Sequence, residues 1–323
     1  MSTVLVNVSA AHCAPFPALL FDTRVLALSY WESSGLHGIR SMEAFFDEWA
    51  ANAPLLKKLF DDPATVDAIT NRGMPIADVR VHAPVSPGQV FCTIGNYRSQ
   101  LLQAAEDAEE GANCDSASTR RQAVQAAIED RRRSGVPYVG FKGTASVAGP
   151  YDVLEVPEHL KTLDWEVEVG AVIGRSISNV SPERAMDCIA GYCVVNDITL
   201  RDRIFRKDLP NFGTDWLQSK STRGWLPTGP WFVPAWSICD VAALRPWLRL
   251  NGSLMQEGIV SDMLFDIGEQ VAYLSRFTTL EPGDLICTGT PPGIGSHYGR
   301  YLKPGDVMEA GIEGLGMQRV TCV

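Results

Sequence analysis

The chain has 323 residues, of which 46% are hydrophobic and 20% charged; this balance is typical of a globular protein with a sizeable core and excludes a disordered chain or a coiled coil. Its formal net charge of -10 disfavours a nucleic-acid partner, because such binding depends on neutralising phosphates with Lys and Arg. The apolar runs fall short of the ~20 residues that span a bilayer, and the N-terminus has no basic segment leading into an apolar one, so we expect a cytoplasmic protein without a membrane partner.

The length predicts two domains of unequal size, because single hydrophobic cores seldom grow past roughly 250 to 300 residues. We place a small N-terminal domain over 1–88 and a larger domain over 89–323. Within the first, Ser41 is a suitable N-cap for a helix whose apolar residues keep helical spacing, and we expect that helix to end at Pro54.

Residues 98–135 differ from their surroundings, being rich in Ala, Glu, Gln and Arg without β-branched runs. They predict two polar helices joined by a flexible loop, which would form a lid or flap inserted in the larger domain. Short helices are predicted after Ser181, ending at Gly191, and after Asp266. Three Pro-Gly turns each lead into a β-branched or Cys-rich segment, so the fold class is mixed α/β and strand-rich.

Two glutamates stand two residues apart in the apolar segment DWEVEVGAVIG. In a strand, positions i and i+2 face the same side, so Glu166 and Glu168 would project side by side. Adjacent carboxylates in an apolar segment are costly to keep charged unless a cation neutralises them, which favours a metal site. The alternative, that both line the solvated face of an edge strand, is equally compatible with this pattern alone.

A second apolar segment, GYCVVNDITLRD, ends in an Asn-Asp pair. Its Asp197 would add a third oxygen ligand to Glu166 and Glu168. An all-carboxylate set of this kind favours Mg²⁺, Mn²⁺ or Ca²⁺ over zinc.

At this point the sequence closely resembles the fumarylacetoacetate hydrolase family. The resemblance extends from about residue 90 to the C-terminus and rests on the joint order of several motifs: IGNY, PYVGFKG, DWEVEVGAVIG, GYCVVNDITLRD, KSTRGWLPTGPW, LNG and TLEPGDLICTGTPPGIG. It implies a mixed β-sandwich roll, preceded by a smaller N-terminal domain and commonly assembled as a homodimer.

The resemblance also implies roles for individual residues. Glu166, Glu168 and Asp197 would hold a divalent cation, usually magnesium, and Lys220 would reach into the same cavity. Substrate contacts are implied for three further residues, namely Thr290 in the Gly-Thr-Pro turn, Lys142 near the cavity mouth and Tyr97 at the base of the lid. Taken alone, the two lysines would be surface residues, Thr290 a turn residue and Tyr97 a core tyrosine.

The sequence departs from the family pattern in the lid. Many members carry a His three residues after the Tyr of the Asn-Tyr motif and a Glu three residues later, whereas this chain has Gln100 and Gln103. Glutamine does not titrate, so neither residue can act as a general base. Candidate replacements are the lid acids Glu106, Asp107, Glu109 and Glu110, although such a run is typical of a solvated helix face, and His297, the one histidine near the substrate-side turns.

Three functions remain open at this stage. The first is metal-dependent hydrolysis of a C–C bond in an acylpyruvate-like or other β-diketo acid, assisted electrostatically by Lys220. The second is decarboxylation, tautomerisation or hydration of a 2-oxo acid, which the loss of the His-Glu pair favours because these reactions depend less on a water-activating base. The third is a non-catalytic member that binds a carboxylate.

Overall fold

A computed structural model describes residues 3–107, 117–209, 211 and 213–323. The strands of the described residues are β1 Val4–Ser9, β2 Phe16–Phe21, β3 Arg24–Ala27, β4 Met74–Pro75, β5 Arg80–His82, β6 Val90–Thr93, β7 Val139–Lys142, β8 Val147–Ala148, β9 Leu163–Asp164, β10 Val167–Ile173, β11 Ile189–Asn196, β12 Thr199–Leu200, β13 Leu226–Pro227, β14 Val233–Pro234, β15 Pro246–Leu250, β16 Ser253–Glu257, β17 Leu285–Cys287, β18 Val307–Ile312 and β19 Gly316–Thr321. The α-helices are α1 Met42–Asp47, α2 Trp49–Asp61, α3 Pro63–Arg72, α4 Arg98–Asp107, α5 Ala117–Ser134, α6 Pro182–Ala185, α7 Trp216–Lys220 and α8 Ile267–Leu274.

The N-terminal part is a five-stranded antiparallel sheet in the order β4-β3-β2-β1-β5, accompanied by α1, α2 and α3. The side chain of Ser41 accepts a hydrogen bond from the Ala44 amide, as predicted for the N-cap of α1. The prediction that the helix ends at Pro54 is wrong, because the chain starts a new helix at Trp49 and Pro54 lies inside α2. Burial of Leu56 beyond the proline outweighs the one backbone hydrogen bond that the proline removes.

A six-stranded mixed sheet forms the centre of the molecule, in the order β14-β11-β10-β17-β6-β7. Of the five strand pairings described in this sheet, β17 with β6 is parallel and the other four are antiparallel. The expected ending of the Ser181 helix at Gly191 is wrong, because that glycine lies inside β11 and Phe232 packs where its side chain would be. The helix after Asp266 is confirmed as α8, with a complete capping box between Asp266 and Glu269.

The two faces of the central sheet bury different clusters. Val167 and Val169 of β10 face a large apolar cluster shared with the four-stranded sheet β16-β15-β18-β19, which gives a sandwich of two sheets. Val172 and Val195 face a second cluster that includes Trp49 and other residues of the N-terminal part. Residues on both sides of position 88 share this second cluster, and the division into domains at that position stays a prediction.

The predicted lid consists of two helices, α4 and α5, that lie against one end of the central sheet. Ile128 of α5 packs on Leu264 and Phe265, while the Arg131 guanidinium donates to the Gly95 carbonyl at 2.9 Å. Within the described residues, every helix is too short or too polar to cross a membrane.

Candidate functional site

Glu166, Glu168 and Asp197, here called the carboxylate cluster, lie at the ends of two paired central strands. Glu166 immediately precedes β10, Glu168 lies within it, and Asp197 immediately follows β11. The antiparallel register pairs Val167 with Asn196, and the Asp197 amide donates to the Glu166 carbonyl at 2.8 Å. One oxygen from each carboxylate lies within 4.8 Å of the others.

All three carboxylates are buried, with Glu166 at 7%, Glu168 at 1% and Asp197 at 0% exposure. The alternative of a solvated edge strand is therefore wrong, since β10 lies between β11 and β17 in the interior of the sheet. Three adjacent carboxylates in such a place require positive charge to remain ionised.

Lys220 supplies part of that charge from the last turn of α7. Its ammonium donates to Glu166 Oε2 at 2.9 Å, to Asp197 Oδ2 at 2.5 Å and to Thr199 Oγ1 at 2.7 Å. The interpretation of Lys220 as a surface lysine is wrong, because the residue is 1% exposed. All three of its N–H donors are engaged by the protein, so the group acts on a ligand mainly through its charge.

Lys142 and Arg201 complete the ring of cations around the cluster. Lys142 Nζ donates to Asp197 Oδ1 at 2.7 Å and to the Ile198 carbonyl at 3.0 Å, and Arg201 Nη1 lies 2.6 Å from Glu166 Oε1. Lys142 is 2% exposed and lies beside Asp197 in the interior, so its interpretation as an exposed lysine is wrong. Its position near the cavity mouth, which the family resemblance implies, stays a prediction.

Two members of the cluster, Asp197 and Glu168, have pKa values that are shifted in opposite directions. Burial alone would raise the pKa of Asp197, but the charges of Lys142 and Lys220 outweigh it and hold that pKa below its usual range. Burial raises the pKa of Glu168 well above its usual value, and the neighbouring charges of Asp197 and Glu166 raise it further. The charge of Lys220 and the Gly289 amide lower the pKa of Glu168 without outweighing these causes, so its negative charge is only partly compensated.

The contacts of Glu168 explain this difference. Its Oε2 accepts a hydrogen bond from the Gly289 amide at 2.7 Å, and the described part of the chain provides it with no ion pair. A divalent cation bound by the three carboxylates would supply the missing charge, and hard oxygen ligands suit Mg²⁺, Mn²⁺ or Ca²⁺. The donor set, its burial and its charge imbalance fit such an ion.

Tyr97 and Thr290, both implied as substrate contacts, differ in what their hydroxyls do. Tyr97 is fully buried, its Oη has no hydrogen-bond partner among the described residues, and burial, followed by the charge of Glu168, raises its pKa well above the usual value. Thr290 Oγ1 donates to the Val167 carbonyl at 2.9 Å and accepts from Gln256 at 2.8 Å. Tyr97 has free hydrogen-bonding capacity near the cluster, whereas Thr290 fixes the turn to the strand between the two glutamates.

Sequence reasoning missed Asp164 as part of the site. This buried carboxylate accepts from Arg201 Nε at 2.7 Å, from the Gly295 amide at 2.6 Å and from the Ser296 amide at 3.1 Å. Since Arg201 also holds Glu166, Asp164 connects the carboxylate cluster with the loop after β17. The sequence does contain a sign of this role, because Asp164 stands two residues before Glu166 and so continues the i, i+2 spacing of the two glutamates.

The lid meets that loop, residues 288–300, which we call the Gly-Pro loop, through two side chains of α4. Gln103 Oε1 accepts from the Gly293 amide at 2.7 Å, and His297 Nδ1 lies 2.8 Å from Asp107 Oδ1. We call this pair of contacts the lid seam. Of the other candidate acids, Glu106 pairs with Arg121 at 2.6 Å on the lid surface, and Glu109 and Glu110 lie outside the described residues.

A family model for the C-terminal domain of fumarylacetoacetate hydrolase matches residues 89–323. The chain belongs to the fumarylacetoacetate hydrolase family. Proteins of Burkholderia multivorans and Burkholderia cenocepacia, both provisionally named as hydrolases, are 41% identical to it over 185 residues. That alignment covers 56% of this chain and 64% of each relative, so the chain spans less than two thirds of the length of the curated relatives it matches.

Solved structures confirm the fold. The 2-hydroxyhepta-2,4-diene-1,7-dioate isomerase of Mycobacterium marinum is 25% identical, with a TM-score of 0.66 over 100% of this chain and 98% of that one. Two further structures share the fold over 99% of both chains: fumarylacetoacetate hydrolase of Exiguobacterium antarcticum (TM-score 0.70, 24% identity) and maleylpyruvate hydrolase of Sphingobium sp. SYK-6 (TM-score 0.72, 21% identity). The expected mixed, strand-rich α/β architecture is thereby confirmed.

Proposed function

We propose that the protein is a divalent-metal-dependent hydrolase that cleaves a C–C bond in an acylpyruvate-like or other β-diketo acid. The observation that carries the proposal is the carboxylate cluster, in which two acids are paired with protein cations and Glu168 is not. The names of the curated relatives support a hydrolase in general terms, and the bond and substrate class are our inference.

Glu166, Glu168 and Asp197 would hold the ion, with Mg²⁺ as the first choice and Mn²⁺ or Ca²⁺ as alternatives. A bound dication would supply positive charge that polarises two substrate oxygens and favours the enolate released when a C–C bond breaks. A 2-oxo acid or a 1,3-diketo acid presents two oxygens close enough together to bind one cation. No nucleic-acid or membrane partner forms part of this proposal.

The protein side chains would contribute in different ways. Lys220 and Lys142 would keep Asp197 ionised and add positive potential where negative charge develops on the substrate. Tyr97 would donate its free hydroxyl to a substrate oxygen, because no described residue already uses it. Thr290 would hold the Gly-Pro loop in place as one wall of the cavity.

The reaction is tested by supplying acetylpyruvate and oxaloacetate to protein loaded with Mg²⁺ and identifying the products. The proposal predicts acetate and pyruvate in equal amounts from acetylpyruvate, and none in protein treated with a chelator. Undiminished activity in the chelated, metal-free protein would contradict it.

A second candidate function keeps the same site but depends less on a residue that activates water. Gln103 is engaged with the Gly293 amide and cannot titrate, so the lid lacks the usual base at that position. Decarboxylation, tautomerisation or hydration of a 2-oxo acid would tolerate that loss. Release of carbon dioxide from oxaloacetate, with no acetate from acetylpyruvate, would favour this candidate.

For assembly and location we propose a homodimer in the cytoplasm. The family resemblance implies the dimer, and the exposed Phe141 and Leu217 beside the edge strand β7 are candidates for its contact. All seven described cysteines are free, as expected in a reducing compartment. Light scattering of the purified protein would test this proposal, since a homodimer should have a measured mass of twice the chain mass of 35.2 kDa.

A further inference from the structure

The lid seam brings a histidine and a carboxylate together from distant parts of the chain. His297 and Asp107 are separated by 190 positions, yet His297 Nδ1 lies 2.8 Å from Asp107 Oδ1. The imidazole is 30% exposed and the carboxylate 34%, so the pair is neither sealed in the core nor fully solvated. A second contact, from the Gly293 amide to Gln103, holds the same helix to the same loop.

The Gly-Pro loop is attached to the carboxylate cluster at two points. Near its start, the Gly289 amide donates to Glu168. Further along, the Ser296 amide donates to Asp164, which binds Arg201, which in turn binds Glu166. His297 follows Ser296 directly, so only three hydrogen-bonded contacts separate its backbone from the cluster. His297 therefore lies on the same loop that bonds Glu168 directly and reaches Glu166 through Asp164 and Arg201.

The other four histidines, all within the described residues, lie elsewhere. His82 lies on β5 and shares a hydrogen bond of 2.8 Å with Ser9. The backbone of His37 exchanges two hydrogen bonds with the side chain of Asn52. His12 and His159 are exposed. Histidine is the side chain best suited to exchange protons near neutral pH, so His297 is the candidate that the fold places at the lid side of the site.

We propose that His297 is the proton-transfer residue of this site and that Asp107 is its positioning residue. Because a carboxylate only accepts, the contact selects the neutral tautomer in which Nδ1 carries the proton and Nε2 keeps its lone pair. Asp107 thereby fixes the tautomer and the orientation of the ring, and does so only when the lid rests on the Gly-Pro loop. This inference rests on the proposed hydrolytic function and supplies the base that Gln100 and Gln103 do not provide.

The proposed reaction balances with one water molecule. His297 Nε2 takes a proton from water as the water oxygen bonds to the distal carbonyl carbon of the diketo acid. The C–C bond then breaks, and its electron pair stays with the 2-oxo acid fragment as an enolate. The imidazolium returns the proton to the enolate carbon, giving a carboxylic acid and a 2-oxo acid with His297 neutral again.

The activity test compares H297Q and H297A with the surface control H159Q in protein loaded with Mg²⁺ and supplied with acetylpyruvate. A general base contributes about 10²–10⁴-fold, so kcat of H297Q should fall by that factor while H159Q keeps the activity of the wild type. Free imidazole should restore part of the activity of H297A. Activity of H297Q within about threefold of the wild type would overturn the inference, as would failure of imidazole to rescue H297A.

Asp107 is tested with D107N beside the matched control E106Q from the same helix. D107N should lower kcat by about 10-fold with little change in KM, because a positioning residue alters the base and leaves substrate binding intact. E106Q, whose carboxylate pairs with Arg121 on the lid surface, should behave as the wild type. Equal kcat values for D107N and E106Q would overturn the role of Asp107.

A spectroscopic measurement separates this inference from the proposed function. In protein labelled with ¹⁵N-histidine, oxalate added with Mg²⁺ should shift the Nε2 resonance of His297, and D107N should change the tautomer that the two ring nitrogens report. If acetylpyruvate is not hydrolysed but this shift appears, the hydrolytic function fails and the placement of His297 stands. If hydrolysis occurs and oxalate leaves His297 unshifted, the inference fails and the function stands.

Discussion

The carboxylate cluster and the lid seam, which we propose to be two halves of one site, are built in different ways. The cluster lies on neighbouring central strands, and Glu166, Glu168 and Asp197 are at most 7% exposed. The lid seam joins a helix to a loop through side-chain contacts in which both His297 and Asp107 are about one-third exposed. We propose that the cluster is a fixed electrostatic floor, which holds charge, and that the lid is a separable cover, which handles protons.

The largest effect should come from neutralising the acid that lacks a cation partner. Glu168→Gln removes a carboxylate from the cluster, so turnover should fall by at least about 100-fold. A steady-state assay measures this, with Glu257→Gln on the exposed edge of β16 as the control. Glu168→Gln activity close to that of the control would show that the floor does not depend on this charge.

Lys220→Met should instead act on stability. Removing Lys220 leaves Glu166 paired with Arg201 alone and Asp197 paired with Lys142 alone, and loss of one partner of a buried ion pair costs about 3–5 kcal/mol in the free energy of unfolding. Urea titration measures the loss, and added Mg²⁺ should recover part of it because a dication replaces the missing charge. The control is Lys207→Met, which removes an exposed lysine and should leave the free energy of unfolding unchanged. A Lys220→Met protein as stable as this control would contradict a floor held by buried charges.

Asp164→Asn should affect the connection between the two halves. The buried carboxylate accepts four hydrogen bonds, one from Arg201 and three from amides of the chain, and hydrogen bonds to charged groups contribute about 1.5–3 kcal/mol each. Since asparagine can keep some of these bonds, we expect a loss of about 2–3 kcal/mol in unfolding free energy, together with weaker protection of the Gly295 amide in hydrogen exchange. Unchanged protection of that amide would refute the connection.

The smallest effect should follow from Gln103→Ala, which removes one neutral hydrogen bond of the lid seam. A loss of about 0.5–1.5 kcal/mol corresponds to hydrogen exchange that is roughly 2- to 13-fold faster at the Gly293 amide, with the cluster unaffected. Hydrogen exchange resolved by residue measures it. If exchange also accelerates at the Gly170 amide of the central sheet, the cover and the floor are not separable.

The floor could be predicted from the sequence because its geometry is local. Alternation along DWEVEVG places Glu166 and Glu168 on one side of a strand, and the family motifs add Asp197 and Lys220. The functional roles of these residues remain predictions. Lys142 taken alone was interpreted as a surface residue because a lone lysine is usually exposed, whereas here the Asp197 charge offsets the cost of burying it.

The cover could be predicted only in outline. The composition of residues 98–135 predicted the two polar helices correctly, but nothing local indicates that Asp107 meets His297 across 190 positions. The missed continuation of α2 past Pro54 and of β11 through Gly191 has a related cause: tertiary packing outweighed residues that usually interrupt helices or strands.

The central claim is our proposal that the carboxylate cluster binds a dication because Glu168 forms no ion pair with any residue that the structure describes. The most direct measurement is the number of Mn²⁺ ions bound per chain, followed by electron paramagnetic resonance at neutral pH. The account predicts one ion per chain in the wild type and in Glu257→Gln, and none in Glu168→Gln at the same concentrations. Equal binding by Glu168→Gln and the wild type, or no binding by the wild type, would contradict it.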